Sequence, residues 1–238
     1  MPKITGFTGR IIYNSRGSKT IEVDITCDEK FLGRICSPSG ASVGKYEASS
    51  FPNNKPEESL TVLKQNSDKF IGLDASNLKS IHDTIRSIDD TEYYSKIGGA
   101  CAFAITIAAT ESAAKTQSIP FYKVINPNDD VKFPFPLGNI LGGGAHAGPG
   151  TPDIQEILVS SICAKTVDDA IEMNLKVHKE LRNVIQKDDP NFTNGRGDEG
   201  GWAPKYKNEK ALEMSTLCLL YTSDAADERS SVDLGGRR

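Results

Sequence analysis

The chain has 238 residues, of which 25% are charged and 37% are hydrophobic, as in ordinary globular proteins. Its 28 basic and 32 acidic residues give a net charge of −4, which excludes a polyanion-binding surface, so we expect no nucleic-acid partner. The five cysteines are scattered without a CxxC pair, which excludes a zinc ribbon and a disulfide framework. Residues 1–6 lack the core of a signal peptide, and no run approaches the roughly 20 apolar residues that span a membrane. We therefore expect a cytoplasmic protein with reduced thiols and no membrane contact.

The first part of the chain has the pattern of antiparallel strands. Alternate residues between 21 and 27 are apolar, the period of two that is typical of a strand with one buried face. Polar residues 28–30 predict a turn, and residues 31–36 predict a second strand; residues 11–13 could form a third. Strands this close in sequence are most simply joined as an antiparallel meander.

Helices follow the strands. Four isoleucine or leucine residues recur at spacings of three, four and three and predict one helix face: Leu78, Ile81, Ile85 and Ile88. Residues 74–77 offer capping side chains for this helix. The alanine-rich residues 99–115 predict a second helix, packed closely on several sides and ended before Pro120. Strands followed by helices predict an α+β domain over residues 1–125.

Residues 126–130 read as a linker, and residues 131–217 have the pattern of an opening, incomplete β/α barrel. Two short apolar runs and a strand-like stretch near residues 195–202 supply candidate strands. Thr166 with Asp169 resembles a capping box and opens a long helix. We expect the buried side of this helix to carry five residues: Val167, Ile171, Leu175, Leu181 and Ile185. Another helix is expected to begin at Asn208.

Two glycine-rich or small-residue segments are candidate ligand loops. Residues 38–44 contain only small residues besides Pro38 and Val43, which would let backbone and hydroxyl groups approach an anion, although a plain surface turn has the same composition. Residues 141–150 place His146 among five glycines without the ending of a nucleotide P-loop. A histidine on so flexible a backbone is a candidate for an active-site loop. His82 and His178 are interpreted as structural or surface residues.

Acidic residues mark two further segments. Glu156, beside Gln155, lies inside an apolar run, where a carboxylate needs a partner, a metal or a catalytic role. Asp198 and Glu199 are adjacent between glycines, and adjacent strand residues point to opposite faces, so only one of them can face a given site. An acidic turn is the default interpretation of such a pair.

Taken in order, these segments resemble the enolase family. The resemblance covers essentially everything before Cys218, and the sequence around Asn139 and Trp202 is most similar to that of archaeal enolases. Ser18 and Lys19 stand where the family usually has Asn-Pro, and Val43 where Thr is usual, and none of these three replaces a group with known chemistry. The matching segments are residues 15–17, 20–23, 38–44, 47–48, 97–100, 119–122, 136–144, 153–156 and 197–204.

The resemblance implies a hydro-lyase that interconverts 2-phospho-D-glycerate and phosphoenolpyruvate with two magnesium ions in the complete site. It implies that Glu199 protonates the departing hydroxyl group and that His146, Gln155 and Glu156 bind the substrate, a small phosphorylated carboxylic acid. Ser42 is implied to join the second magnesium when its loop closes. It also implies a homodimer or higher homo-oligomer.

The resemblance further implies that the other metal ligands, the base lysine and the phosphate-binding basic residues come later than this sequence. Residues 131–217 amount to about a third of the roughly 250 residues of such a barrel. We therefore expect the chain itself to be inactive. From Cys218 onward, residues 218–238 resemble the translation of a sequencing-library adapter, and we expect a non-native tail that is extended. The alternative is a genuine tail that is amphipathic or disordered.

Two other functions stay open at this stage. The first is another member of the enolase superfamily, such as a racemase or sugar-acid dehydratase, but such a protein would not combine the segments 38–44 and 197–201. A non-catalytic enolase homologue that acts as a binding or structural protein would have lost a metal carboxylate or the base lysine, and Ser42, His146, Glu156 and Glu199 argue against it.

Overall fold

A computed structural model describes residues 1–38, 40, 44–128 and 131–227 of the chain, with residues 221–227 described by their backbone alone. The chain divides into two compact units, unit 1 at Met1–Asp130 and unit 2 at Val131–Arg238. Each unit has its own hydrophobic core. Within the described residues, no helix is both long enough and apolar enough to cross a membrane.

Unit 1 contains a three-stranded antiparallel sheet in the order β1 (Ile4–Tyr13), β2 (Lys19–Cys27) and β3 (Phe31–Cys36). The alternation predicted for β2 is confirmed, because its four apolar side chains are fully buried. Strand β1 begins at Ile4, seven residues before the predicted strand at residues 11–13. Its first half lacks apolar alternation, since Thr5, Gly6, Thr8 and Gly9 interrupt the pattern.

Four α-helices accompany the sheet: α1 (Pro56–Asn66), α2 (Leu78–Ile88), α3 (Gly99–Gln117) and α4 (Phe121–Ile125). Asn77 caps α2, and its Oδ1 atom accepts a hydrogen bond from the Ser80 amide at 3.1 Å. Helix α3 packs on the sheet so closely that a Cβ atom at Gly33 would lie 2.0 Å from the carbonyl oxygen of Ala108. The small side chains of α3 permit this approach, and the α+β prediction for unit 1 is confirmed.

Asp89 fixes the segment that leads from α2 into α3. Its carboxylate is completely buried and accepts hydrogen bonds from the backbone amides of Thr91, Lys96 and Ile97, at 3.0, 2.7 and 2.8 Å. Burial alone would raise the pKa of Asp89, but these hydrogen bonds and that from the Thr91 hydroxyl group hold the pKa below its ordinary value. A carboxylate here satisfies several backbone donors at once.

Unit 2 contains an antiparallel pair, β4 (Gly138–Gly142) and β5 (Glu156–Val159), and two long helices, α5 (Val167–Asp188) and α6 (Asn208–Asp227). The strand predicted near residues 195–202 is wrong, because this segment is a tight turn with isolated bridges from Trp202 to Arg196 and to Leu141. The described residues form part of a barrel and do not close one. This architecture confirms the predicted β/α opening.

The cap of α5 is confirmed, since Thr166 Oγ1 accepts a hydrogen bond from the Asp169 amide at 3.0 Å. The predicted buried side is wrong at three of its five residues. Leu181 and Ile185 are fully buried, but Val167, Ile171 and Leu175 are 43%, 44% and 62% exposed. Steps of four residues exceed the 3.6 residues of a helical turn, so the predicted stripe drifts around the helix. The observed stripe keeps alternating steps of four and three, at Ala170, Asn174, Val177, Leu181 and Val184.

The expected extended tail is also wrong in its first part. Helix α6 begins at Asn208 as predicted and continues through Cys218 to Asp227. Cys218 is fully buried, and its Sγ atom donates to the carbonyl oxygen of Val177 at 3.2 Å. Residues 228–238 lie outside the described residues. Apolar and alanine residues at positions 217–226 suit a helix, which is why the helix runs past the boundary expected from the resemblance.

Replacing Asp89 by asparagine should destabilise unit 1 by about 2 to 3 kcal/mol, because an amide NH₂ would face backbone N–H donors. The depressed pKa means that the carboxylate stabilises unit 1 above about pH 4, and this contribution is lost as the pH falls further. The difference between wild type and variant should therefore narrow in acid. Urea unfolding followed by the β2 amide signals in NMR measures both effects in unit 1. Tryptophan fluorescence would instead report on unit 2, where Trp202 lies.

Asp90→Asn is the matched control for this prediction. The Asp90 carboxylate is 81% exposed and pairs with Lys96 Nζ at 2.7 Å, so its removal should change the stability by less than about 1 kcal/mol. Equal destabilisation by the two substitutions would contradict the role assigned to Asp89.

Candidate active site

The loop after β4 folds back sharply and carries His146. The amide of Gly143 donates to the carbonyl oxygen of Gln155 at 2.8 Å. A Cβ atom at Gly143 would lie 2.3 Å from the carbonyl oxygens of both Pro152 and Ile154, so the two backbone segments can come this close only at a glycine. A short 3₁₀ turn, Gly144–His146, follows directly. The glycine-rich sequence therefore serves a close backbone approach that brings His146 to the end of β4.

A second turn, residues 196–202, carries Glu199 at its tip. The Gly197 amide donates to the carbonyl oxygen of Gly201 at 2.9 Å, and the Gly200 amide donates to that of Gly197 at 3.0 Å. Gly200 has a φ of +84°, a backbone conformation that residues with a side chain rarely adopt. The turn is closed by its own hydrogen bonds, and the Glu199 side chain is 45% exposed.

The two loops are joined by a hydrogen bond from the Asp198 amide to the carbonyl oxygen of His146, at 3.1 Å. As a result, one ligand atom from each of His146, Glu156 and Glu199 lies within 4.8 Å of the others. Among the described residues, this is the one group of three or more such side chains that could together contact a single ion or small ligand. We call it the His146 cluster.

His146 and Glu199 approach each other without forming a hydrogen bond. His146 Nδ1 lies 3.3 Å from Glu199 Oε1 and is buried without a hydrogen-bond partner. The His146 side chain is 15% exposed, whereas that of Glu199 is 45% exposed. The carboxylate thus faces solvent and can meet a ligand, while the imidazole lies beneath it with an unsatisfied nitrogen.

The remaining predicted site residues have different outcomes. Gln155 is exposed, and its Nε2 atom donates to Glu156 Oε1 at 3.2 Å, so it adjoins the His146 cluster through Glu156. Ser42 lies outside the described residues. The structure therefore brings together four of the five predicted residues, three of them in the cluster itself.

The His146 cluster does not by itself fit a magnesium ion. Magnesium prefers six oxygen ligands in octahedral geometry, and the cluster offers one imidazole nitrogen and two carboxylates. Its mixture of a neutral or cationic ring with two carboxylates better suits proton transfer and contacts with a substrate.

Sequence reasoning missed two residues that contact the Glu199 turn. His178 Nε2 lies 3.0 Å from the carbonyl oxygen of Gly200, and His178 was interpreted only as structural or surface. Asn139 Oδ1 is buried without a hydrogen-bond partner, and a Cβ atom at Gly201 would lie 2.3 Å from it. A polar Asn139 inside the apolar run of β4 was the signal that could have indicated the second contact.

Comparison with known proteins gives two adjacent family matches. The family of the enolase N-terminal domain matches residues 4–125, and that of the enolase C-terminal TIM barrel domain matches residues 130–222. Together they span most of the chain and include every residue of the His146 cluster.

Relatives from archaea carry the same family name. The enolase of Methanothermobacter thermautotrophicus is 42% identical over 228 residues, which cover 94% of this chain and 55% of the relative. That of Methanosphaera stadtmanae is 42% identical, over 90% of this chain and 52% of the relative. The enolase of Pyrobaculum aerophilum is 34% identical, over 86% and 50%. The chain spans about half the length of the curated relatives it matches, and it belongs to the enolase family.

Proposed function

We propose that the complete protein catalyses the reversible dehydration of 2-phospho-D-glycerate to phosphoenolpyruvate, a step of glycolysis and gluconeogenesis. The observation that carries this proposal is the His146 cluster, in which Glu199 is held at the tip of a turn beside His146 and Glu156. Family membership supports the reaction class, a hydro-lyase.

The reaction explains why an exposed carboxyl group belongs at this tip. Hydroxide is a poor leaving group, so its departure from the substrate requires a general acid that is already in position. Glu199 is solvent-accessible and its backbone is fixed by the hydrogen bonds of the turn. We assign it the role of protonating the departing hydroxyl group.

His146, Glu156 and Gln155 then form the wall of the substrate pocket. His146 has a buried nitrogen that lacks a partner in the free protein and can hydrogen-bond to a bound ligand. Glu156 holds the side chain of Gln155 at 3.2 Å, which orients the amide toward the same region. These contacts bind and orient the substrate, while proton transfer to the leaving group falls to Glu199.

Removing a proton next to a carboxylate builds a second negative charge, and the His146 cluster adds two carboxylates of its own. Concentrated positive charge must offset this. We propose that two magnesium ions supply it in the complete site and that Ser42 binds the second ion. The other ligands and the base lysine would come from the part of the family fold that this chain does not span.

The remaining assignments follow from family membership as proposals. Residues 1–125 would be the enolase N-terminal domain, residues 131–217 the first part of the barrel domain, and residues 218–238 a non-native tail. We propose that the complete protein is cytoplasmic and forms a homodimer or a higher homo-oligomer.

The chain of 238 residues should not turn over its substrate, because the base and the first magnesium site would be missing. The test is to add magnesium and 2-phosphoglycerate to the folded chain and follow the absorbance of phosphoenolpyruvate. Intact Methanothermobacter enolase in the same assay is the positive control. Turnover above background would mean that the described residues already contain a base and a metal site that we have not identified.

Glu199→Gln should separate the two chemical steps. We would place residues 1–217 in the Methanothermobacter enolase in exchange for the matching part, and compare this graft with its Glu199→Gln variant. Dehydration should fall by about 10² to 10⁴-fold, the contribution of a positioned general acid, while solvent-hydrogen exchange at the substrate carbon is retained.

Glu172→Gln is the matched control, because Glu172 is an exposed glutamate of α5 that pairs only with Lys176 at 3.0 Å among the contacts described. It should leave both rates unchanged. If the Glu199 variant dehydrated the substrate at the wild-type rate, Glu199 would not be the general acid.

A further inference from the structure

His178 contacts the backbone of the Glu199 turn from outside both site loops. It lies on α5, between Val177 and Leu181, which are buried in the core of unit 2. Its Nε2 atom lies 3.0 Å from the carbonyl oxygen of Gly200, the residue next to Glu199. The packing of α5 therefore holds the backbone of His178, and its side chain reaches the turn.

Trp202 holds the same imidazole in place. The rings of His178 and Trp202 are stacked, with centroids 4.6 Å apart and planes inclined by 26°. The indole Nε1 atom donates to the backbone carbonyl oxygen of His178 at 2.8 Å. On the turn itself, Arg196 places its guanidinium 4.5 Å from the Trp202 ring centroid. Trp202 is 3% exposed, so this arrangement is a packed one.

The turn is closed by its own hydrogen bonds, and the contact of His178 adds to them at Gly200, where the turn is least packed. Three of the five residues 197–201 are glycines, and a Cβ atom at Gly200 would meet nothing within 4 Å. Glycines lose more conformational entropy on ordering than other residues, so an additional hydrogen bond to this turn helps to offset the cost of ordering it. A displaced Gly200 peptide would move Glu199 with it.

We propose that His178 is a positioning residue that fixes Glu199 by donating a hydrogen bond to the Gly200 carbonyl group. This proposal depends on the proposed function only because it takes Glu199 to be the general acid. Since the carbonyl oxygen can only accept, the proton must be on Nε2 of His178. His178 itself does not contact the reacting atoms.

Two variants of the full 238-residue chain separate the hydrogen bond from the packing. His178→Phe keeps a ring against Trp202 but cannot donate, whereas His178→Gln places an amide donor near the position of Nε2. Amide hydrogen exchange at Gly197 and Gly200, whose N–H groups close the turn, is the first readout. The NMR signals of the His146 ring are the second, because they respond to the carboxylate of Glu199 at 3.3 Å.

We expect exchange at both amides to accelerate about tenfold in His178→Phe, the size of one lost hydrogen bond, with a change in the His146 signals. His178→Gln should restore both readouts toward wild type, and the α5 amides should be unaffected in either variant. Unchanged turn exchange in His178→Phe, or a His178→Gln variant that behaves like it, would overturn the proposal.

If a variant fails to fold, a measurement on the unmodified chain tests the proposed hydrogen bond. The nitrogen chemical shifts of the His178 ring should show a proton on Nε2 when the imidazole is neutral, and a proton on Nδ1 alone would overturn the proposal. None of these readouts requires turnover, so an inactive graft would count against the proposed function and leave this test intact.

Discussion

The hydrogen bond from the Asp198 amide to the His146 carbonyl oxygen, 3.1 Å long, joins the two glycine-rich loops of unit 2. Each loop carries one group of the candidate site, and residues 197–201, which carry Glu199, include no apolar side chain. Backbone contacts therefore do what side-chain packing does elsewhere in the protein. Close approaches also require glycine, since a Cβ atom at Gly143 would lie 2.3 Å from the carbonyl oxygens of Pro152 and Ile154, and one at Gly201 would lie 2.3 Å from Asn139 Oδ1. The sequence of the two loops follows from this constraint.

The fixed backbone leaves the polar side chains at its edge free for a ligand. His146 Nδ1 and Asn139 Oδ1 are buried without partners, a costly state that a bound substrate or an ordered water can relieve. The Glu199 carboxyl group, in contrast, is exposed, and one of its oxygens lies 3.3 Å from the His146 ring. A hydrogen-bonded backbone with unsatisfied side chains is the arrangement expected of a site organised before its ligand arrives.

Local patterns predicted the parts of the fold that depend on local rules. Alternation identified β2, spacing identified α2, and the Thr166 cap identified the start of α5. The exposed side of α5 was misassigned because Ile171 and Leu175 are apolar, and periodicity cannot tell a covered face from an uncovered one. Leu175 is 62% exposed in a chain that spans about half the length of its relatives, and we expect the longer fold to cover it. For the site, the glycines pointed to His146, whereas the acidic pair read as a plain turn and only the family resemblance singled out Glu199. The contact of His178 with Gly200 depends on how α5 packs against the turn, which no spacing reveals.

We propose that residues 1–217 supply one half of a working enolase site, with the His146 cluster already in the arrangement that the reaction requires. The most direct measurement is the steady-state turnover of 2-phosphoglycerate by the graft of residues 1–217 on the remainder of the Methanothermobacter enolase, compared with the intact relative. With 42% identity between the two proteins, the account predicts a kcat/KM within about tenfold of the relative's. A graft that folds, binds magnesium and shows no dehydration would contradict it.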